Sequence, residues 1–293
     1  MFLVAFLFFI LILVVFITGS SPFSSSSFGL TRKQESMVKA WNEHNYDTVY
    51  TITSKELQEA PLETDNLILH GYSAFYSGIA HYNTTEAHNL FSEAIISLRK
   101  ALVLTPEREH NQIHYVIGKA YYHLGPYYYD LAARHLSISY KKGFIADDLF
   151  EYLGLAYKNI SENEEASKWL TKAIDANYSS LTDLKLAEVY FSQGKYAIAA
   201  DHAATALKAS EDSFIQARAN LLIGKTMIER EMLDQARIHF LSMVETNQSY
   251  ADARYWLGEV YNRQNQPILA RAEWREAVRI DPQHALAAAR LRT

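Results

Sequence analysis

The chain has 293 residues, a formal net charge of −5, 49 % hydrophobic residues and 21 % charged residues. This composition excludes a wholly disordered, collagen-like or low-complexity chain, and the absence of a basic block argues against nucleic acid as the main partner. Because the sequence has no cysteine, a disulfide scaffold, a thiolate metal site and a cysteine nucleophile are also excluded. A chain of this length forms about two ordinary domains or one elongated array of repeats.

Residues 1–19 predict a hydrophobic helix that serves as a membrane anchor or as a cleaved export signal. Every residue from Phe2 to Ile17 is apolar. At a rise of about 1.5 Å per residue such a helix spans about 24 Å, slightly less than the core of a bilayer. The small residues at 18–20 resemble a signal-peptidase site, so both interpretations stay open. The Ser-rich stretch 20–29 is expected to be a flexible linker.

The basic residues around this segment leave the topology open. A membrane-anchored or exported protein is expected, with the residues after the segment on the extracytoplasmic side. However, no Lys or Arg precedes the apolar run, whereas Arg32, Lys33 and Lys39 follow it. By the positive-inside rule these residues favour the alternative, a membrane-anchored protein whose downstream part is cytoplasmic.

Residues 30–284 predict an array of helix-turn-helix repeats with a period near 34 residues. The clearest unit begins at Ala251, and with that residue as position 1, Gly258 and Ala270 occupy positions 8 and 20. One unit earlier, Gly224 occupies position 8 at the same offset. The units begin near residues 30, 64, 111, 147, 180, 217 and 251, and residues 285–293 follow as a C-terminal capping segment.

The residue types at these positions follow from how two helices pack. Antiparallel helices approach to about 8–10 Å only where the residues at their crossing are small, which explains Gly or Ala at positions 8 and 20. Large residues at positions 7, 11 and 24 fill the space beside the crossing, and proline at position 32 ends the second helix. One such pair cannot bury its apolar face alone, so successive pairs must share a core.

This pattern closely resembles the tetratricopeptide repeat, a helix-turn-helix unit of about 34 residues. The resemblance implies an all-α fold, a right-handed solenoid of about seven such repeats preceded by one hydrophobic helix. The unit near residue 64 contains about eleven inserted residues, which are expected to lengthen its helices.

The unit near residue 111 has an unusual turn, with the sequence LGPYYYD at 124–130. The turn is about two residues longer than the pattern, so Ala132 and Leu136 are expected to occupy positions 20 and 24 of that unit. Tyr121 is expected in the core because of its position. The tyrosines at 127–129 are compatible both with packing in the turn and with a binding patch.

Motifs that imitate catalytic sites are explained better by the helical pattern. The stretch GKT at 224–226 resembles the end of a phosphate-binding loop, but Ala219 replaces the required earlier glycine and no strand precedes it. His110 and His114 can share a helix face, yet their spacing identifies no third or fourth metal ligand. We therefore expect no catalytic residue, no cofactor and no metal site, and predict that the protein is not an enzyme.

The candidate binding site is the first-helix face, formed by positions 2, 5, 9 and 12 of the first helix of each repeat. At about 100° per residue these positions point away from positions 4, 7, 8 and 11, which pack against the second helix. Ligands of the family bind on this concave face. The predicted partner-binding residues are Tyr115, Lys119, Tyr122, Glu151, Lys158, Glu188, Phe191, Arg218, Lys225 and Ile228. Apolar members of the stripe, Leu184 and Leu221, can instead pack successive first helices together.

The resemblance predicts a scaffold or adaptor for protein interactions, membrane-associated or in the cell envelope, whose partner is an unknown protein or peptide. The alternative is an extracytoplasmic protein that captures a small ligand or substrate in the same cavity. Some co-chaperones of the family hold a chaperone tail with Lys at position 5 and Asn at position 9. The pairs in this chain read Tyr115/Lys119, Glu151/Leu155 and Leu184/Glu188. The carboxylate clamp is therefore absent, and a chaperone tail is not expected as the partner.

Overall fold

The structure, a computed structural model, describes residues 32–81, 85–106 and 110–292. All regular secondary structure in these ranges is helical. The predicted hydrophobic helix at 1–19 and the linker at 20–29 lie outside the described residues. Within the described ranges, no helix combines the length and the apolar character needed to cross a membrane.

The helices follow one another as short antiparallel neighbours along the chain, in two compact units. One unit ends at Ile160 and the other begins at Ser161. In the first unit the helices are α1 (Arg32–Asn42), α2 (Tyr46–Glu59), α3 (Thr64–Ala80), α4 (Thr85–Leu104), α5 (His110–Leu124), α6 (Tyr129–Lys141) and α7 (Leu149–Asn159). In the second unit they are α8 (Asn163–Ala176), α9 (Ser180–Ser192), α10 (Tyr196–Ala209), α11 (Ser213–Glu229), α12 (Leu233–Thr246), α13 (Ala251–Arg263), α14 (Pro267–Ile280) and α15 (Ala285–Arg292).

Glycine at position 8 lies where the two helices of a pair are closest. A Cβ atom at Gly258 would lie 2.4 Å from Nε1 of Trp274 and 3.1 Å from the carbonyl oxygen of Ala270. At Gly224 the same atom would lie 2.4 Å from Cζ of Phe240. The two distances to ring atoms are shorter than any ordinary carbon contact, so a side chain at position 8 would displace the large residue at position 24. The small residues thus lie at the crossing, as their spacing predicts.

The irregular turn near residue 124 preserves the same crossing. Residues Pro126–Tyr128 form a single 3₁₀ turn between α5 and α6. A Cβ atom at Gly118 would lie 2.7 Å from Cγ of Leu136, so Leu136 takes the place of position 24 as predicted. The extra residues are therefore absorbed in the turn, and the packing of the two helices is unchanged.

Some of the tyrosines in and near this turn pack against α5, and one is exposed to solvent. Tyr121 is buried, and its ring stacks on that of Tyr128 with centroids 5.9 Å apart. Tyr129 lies 5.4 Å from the ring of Tyr122, whereas Tyr127 is 91 % exposed. The core position of Tyr121 is therefore confirmed, and two of the three turn tyrosines pack against α5.

The insertion in the unit near residue 64 lengthens its helices as predicted. Helix α3 has 17 residues and α4 has 20, which makes α4 longer than the second helix of any other pair among the described residues. The longer pair has two close approaches. A Cβ atom at Gly71 would lie 2.4 Å from Cγ of Leu98, and one at Gly78 would lie 2.7 Å from Cε1 of Phe91.

A recurring left-handed residue at position 15 closes the turn after the first helix. Positive φ angles occur at His44 (57°), Ser161 (64°), Gly194 (74°), Glu231 (57°) and Asn265 (59°). In the turn at Glu231, the amide of Met232 donates to the carbonyl of Met227 at 2.9 Å. This hydrogen bond satisfies a carbonyl at the helix end, which is why the chain must turn left-handed there. The sequence pattern alone did not reveal this position, because only one of these five residues is glycine.

The last helix, α15, packs against α13 and α14. Ala287 is fully buried in a cluster with Tyr255, Trp274 and Ala277. The Arg290 guanidinium donates two hydrogen bonds to the buried Glu259 carboxylate, at 2.8 and 2.7 Å. These contacts cover the side of α13 that would otherwise face solvent.

Replacing Gly258 by Leu is expected to lower the free energy of unfolding by about 1–3 kcal/mol, because the new side chain collides with the Trp274 ring. The shift in the urea midpoint, followed by tryptophan fluorescence and by far-UV circular dichroism, measures this effect. Ala272→Leu is the matched control, since Ala272 is exposed on α14. A Gly258→Leu midpoint equal to that of the control would show that the crossing at Gly258 is misplaced.

Gly194→Ala is expected to destabilise the second unit by about 1–2 kcal/mol. The backbone φ at this position is near 74°, and this left-handed conformation is unfavourable for a residue that carries a Cβ atom. Steric overlap does not contribute, since a Cβ atom at Gly194 meets nothing within 4 Å. The reverse change in the next repeat, Glu231→Gly, is expected to preserve or raise the thermal midpoint. Equal midpoints for wild type and Gly194→Ala would contradict this account of the turn.

Candidate partner-binding face

The predicted partner-binding residues lie on first helices of both units. Those of the first unit are on α5 and α7, and those of the second unit are on α9 and α11. In each set a lysine at position 9 lies among aromatic rings, and its hydrogen-bond partners decide what it can bind.

In the first unit, Lys119 is the centre of a buried polar network. Its Nζ atom donates hydrogen bonds to Oδ2 of Asp148 at 2.7 Å and to the hydroxyl of Tyr115 at 3.1 Å. The Tyr115 hydroxyl in turn donates a short hydrogen bond to Oδ1 of Asp148. Burial raises the pKa of Tyr115 well above its usual value, and the Asp148 charge raises it further. The lysine charge is therefore neutralised inside the chain.

Tyr115 and Lys119 are each only 8 % exposed, so little of either side chain faces solvent. The carboxylate that binds them belongs to Asp148, which immediately precedes α7. The network therefore links two successive first helices and is explained by that structural role. Direct contact of these two residues with a partner stays a prediction, and the geometry gives it no independent support.

The other three predicted residues of the first unit are half-buried. The Tyr122 ring lies edge-on to that of Tyr152 with centroids 5.1 Å apart. Glu151 and Lys158 are both on α7, at positions 5 and 12. Each of the three side chains keeps part of its surface accessible, and their role in binding stays a prediction.

In the second unit, Glu188 joins two basic side chains. Its carboxylate accepts a hydrogen bond from Arg218 at 3.1 Å and another from Lys185 at 3.5 Å. Glu188 is largely buried, with 17 % of its side chain exposed, whereas 46 % of the Arg218 side chain is exposed. This group connects α9 with α11 and places one cationic edge on the surface.

Lys225 lies between two aromatic rings of neighbouring first helices. Its Nζ atom is 4.8 Å from the ring centroid of Phe191 on α9 and 4.9 Å from that of Trp256 on α13. A cation over the face of an aromatic ring is attracted by the ring quadrupole. Both rings are half-buried, so each combines core packing with a surface that a ligand can contact.

Ile228 does not belong to an accessible face. The side chain is 1 % exposed and packs in a cluster with Phe240, Leu257 and Val260. Because α11 continues to Glu229, the last predicted position on this helix meets the core of the following repeat instead of solvent. Leu184 and Leu221 are also buried, in accord with the alternative that they pack successive first helices together.

Four residues that contact the lysines were absent from the predicted set, namely Phe75, Asp148, Tyr152 and Trp256. Tyr152 and Trp256 both occupy position 6, and each lies one repeat after a lysine at position 9. A sequence search restricted to positions 2, 5, 9 and 12 misses position 6, because that position meets the face only after successive helices are stacked. An aromatic residue at position 6 after a lysine-bearing repeat is the signal that could have revealed them.

The motifs set aside in the sequence have structural explanations. The GKT stretch at 224–226 lies inside α11, where the buried Thr226 hydroxyl donates to the carbonyl of Ile223 at 2.7 Å. His114 lies beside His135, with their Nδ1 atoms 2.9 Å apart, and its ring centroid is 6.2 Å from that of His110. Among the described side chains, no group of three potential metal ligands converges.

Comparisons with known proteins agree with this architecture. Residues 229–285 match the tetratricopeptide repeat family. The chain is similar to the C-terminal part of a TPR repeat-containing protein from Cytophaga hutchinsonii, with a TM-score of 0.61, 14 % identity, and coverage of 88 % of this chain and 99 % of that one. No curated protein sequence matches the chain.

Two further solved structures share the fold. One is a chain of the APC/C hetero-tetramer Cut9–Hcn1, with a TM-score of 0.51, 16 % identity, and coverage of 97 % of this chain and 52 % of that one. The other is MamA from Desulfovibrio magneticus RS-1, with a TM-score of 0.51, 15 % identity, and coverage of 60 % and 97 %. This chain therefore spans about half the length of the Cut9–Hcn1 chain. At such identities the similarity establishes the fold alone: an all-helical protein built from TPR-like repeats.

Four histidines of the first unit predict a loss of stability in acid. Burial is the main cause that lowers the pKa of His70, His114, His123 and His135 to about 4. In the unfolded chain histidine has a pKa of about 6.5, so between pH 6.5 and 4 the unfolded state binds protons that the folded state does not. The free energy of unfolding should therefore fall as the pH is lowered through this window. Thermal midpoints measured in steps from pH 7 to 4.5 record the change.

The His114–His135 pair provides the control for this effect. Protonation of both rings would place two N–H donors against each other at 2.9 Å. A His114→Gln/His135→Gln variant should therefore show a shallower decline of its thermal midpoint with decreasing pH than wild type. Parallel pH profiles for the two proteins would refute a contribution from this pair.

Proposed function

We propose that the protein is a scaffold that binds a segment of another protein along the first-helix face of its second unit. The observation that carries this proposal is the arrangement of Phe191, Lys225 and Trp256, in which a half-buried cation lies between two partly accessible rings of successive helices. Aromatic residues in such settings supply the desolvated contacts that usually dominate binding energy. Charged neighbours, such as Arg218, act more on the rate and orientation of association.

The similar structures supply a precedent for this use of the fold. The Cut9–Hcn1 structure is a hetero-tetramer, an assembly of two different proteins. Its identity to this chain is 16 %, so neither the partner nor its binding residues can be transferred. What supports binding in this chain is its own face, where apolar rings and ion pairs alternate over three consecutive first helices.

The proposed activity is binding without catalysis. The apparent nucleotide motif is an ordinary turn of α11, and the paired histidines contact each other. Membrane attachment and an extracytoplasmic location remain proposals that rest on the sequence of residues 1–19. The capture of a small ligand is the weaker proposal, because no observation on the first-helix face favours it over a peptide.

Truncating the Phe191 ring on the second-unit face tests the proposal. Phe191→Ala is expected to keep nearly all helix content and to weaken partner binding by about 2–4 kcal/mol, because the bound segment loses a desolvated contact with this ring. The partner is first identified by affinity capture on the full chain and then purified. The dissociation constants of wild type and variant are measured by isothermal titration calorimetry, with helix content checked by circular dichroism.

The matched control removes one exposed apolar side chain outside the first-helix face. Ile238→Ala truncates a side chain on the second helix α12 that is 62 % exposed, and it should bind the partner as wild type does. If Phe191→Ala instead unfolds, while the affinity per folded molecule stays unchanged, the ring belongs to the core and the proposal fails.

A further inference from the structure

The two units contain the same arrangement of a lysine between aromatic rings. In each case the lysine occupies position 9, an aromatic residue comes from position 12 of the preceding repeat, and a second comes from position 6 of the following repeat. In the first unit Lys119 Nζ lies 5.5 Å from the ring of Phe75 and 4.6 Å from that of Tyr152. In the second unit the corresponding distances for Lys225 are 4.8 Å to Phe191 and 4.9 Å to Trp256.

The two lysines differ in what neutralises their charge. Lys119 binds Asp148, which occupies position 2 of the next repeat, and Tyr115, at position 5 of its own repeat. The residue that corresponds to Tyr115 is Leu221, which has no hydroxyl group. The residue that corresponds to Asp148 is Asp252, so an acceptor is present in the sequence at the equivalent place.

Asp252 is engaged elsewhere. Its Oδ1 atom lies 3.3 Å from Nε2 of His284, in the turn before α15. Lys225 forms neither a salt bridge nor a hydrogen bond in the part of the chain that the structure describes. Packing of the C-terminal helix thus holds the acidic residue of this repeat beside His284, and the three donors of the Lys225 ammonium are left to solvent or a ligand.

The Lys225 ammonium is half-buried and has no hydrogen-bond acceptor among the described residues. Burial lowers the pKa of the Lys225 ammonium and the nearby Arg218 lowers it further, while Glu188, Asp252 and Glu229 oppose them. Aromatic faces stabilise a cation but accept no conventional hydrogen bond from it. A carboxylate placed at Nζ would supply the acceptor that Asp148 supplies to Lys119.

We propose that Lys225 binds a side-chain carboxylate of the partner, carried by a Glu or Asp that apolar residues flank. This inference rests on the proposed function and specifies the chemistry of the bound segment. The carboxylate takes the place that Asp148 occupies in the first unit. Aliphatic carbons next to the carboxylate contact the rings of Phe191 and Trp256. These two rings come from α9 and α13, the first helices on either side of the helix that carries Lys225.

The geometry favours a side-chain carboxylate over a chain terminus. Arg218 is already paired with Glu188 at 3.1 Å, whereas Lys225 has no salt-bridge partner among the described residues. A single ammonium group acts as a point charge and can bind one carboxylate. It does not hold both carboxylate oxygens in a fixed orientation, as the paired donors of a guanidinium group would. The methylene groups of a Glu side chain match the apolar walls, and the peptide can continue in both directions along the face.

Selection of peptides on the full chain tests the inference. Phage-displayed random dodecapeptides, attached through their C-termini and therefore without a free carboxyl terminus, are selected on wild type, Lys225→Met and Lys225→Arg. Lys195→Met is the matched control, because Lys195 Nζ also lies over an aromatic ring, 5.6 Å from that of Tyr190, but is exposed in the turn before α10. Circular dichroism verifies that each variant is folded.

Wild type, Lys225→Arg and Lys195→Met are expected to enrich peptides with an acidic residue between apolar residues, and Lys225→Met is expected to lose this enrichment. In the best synthetic peptide, Glu→Gln should weaken binding to wild type roughly tenfold or more and leave binding to Lys225→Met nearly unchanged. Trp256 lies beside the proposed contact, so peptide binding should also change tryptophan fluorescence.

Other outcomes separate this inference from the function on which it rests. Peptides that bind wild type without an acidic preference, or whose preference survives Lys225→Met, overturn the carboxylate site and leave the scaffold proposal standing. A stronger affinity for free-carboxylate than for amidated versions of one peptide, lost in Lys225→Met, replaces the side-chain carboxylate by a chain terminus. Failure of every selection to yield a binder overturns both proposals.

Discussion

The structure depends on the close approach of a large side chain to a glycine where two helices cross. Trp274 over Gly258 and Phe240 over Gly224 leave no room for a Cβ atom, so the second helix can take only one position against the first. That contact also sets the rotation of the first helix about its axis. With positions 7, 8 and 11 turned toward the second helix, positions 2, 5, 9 and 12 must form the opposite face.

Stacking of successive pairs converts this rotation into a site. A lysine at position 9 meets an aromatic ring from the repeat before it and another from the repeat after it, in both units. The two lysines have the same arrangement of rings around them, but they differ in the groups that neutralise their charge. Asp148 and Tyr115 neutralise Lys119 inside the first unit, whereas Asp252 is held by His284 and leaves Lys225 with donors available.

The similar solved structures fit this division between scaffold and face. At 14–16 % identity these structures share the fold with this chain. Part of the first-helix face also packs between repeats, as Leu184, Leu221 and Ile228 do, and its remaining side chains are not constrained by the helix crossing. Under the proposed function, the fold limits where a partner can bind, and the side chains of this particular chain determine what it binds.

The sequence by itself determined the repeat period, the helical class and the crossing residues. A glycine such as Gly258 at position 8 is part of a periodic pattern, and that pattern can be recognised without knowing which helices are neighbours. It also placed Leu136 at its crossing despite the longer turn, and it identified Lys119 and Lys225 as members of one stripe. It did not reveal the left-handed residue at position 15, since Glu231 and Ser161 carry no glycine signal. Nor could it show that Ile228 enters the core, that Trp256 lines the face, or that His284 draws Asp252 away from Lys225. Only the tertiary structure decided the last three points, because each depends on contacts between residues about 30 positions apart that meet only after neighbouring helices pack.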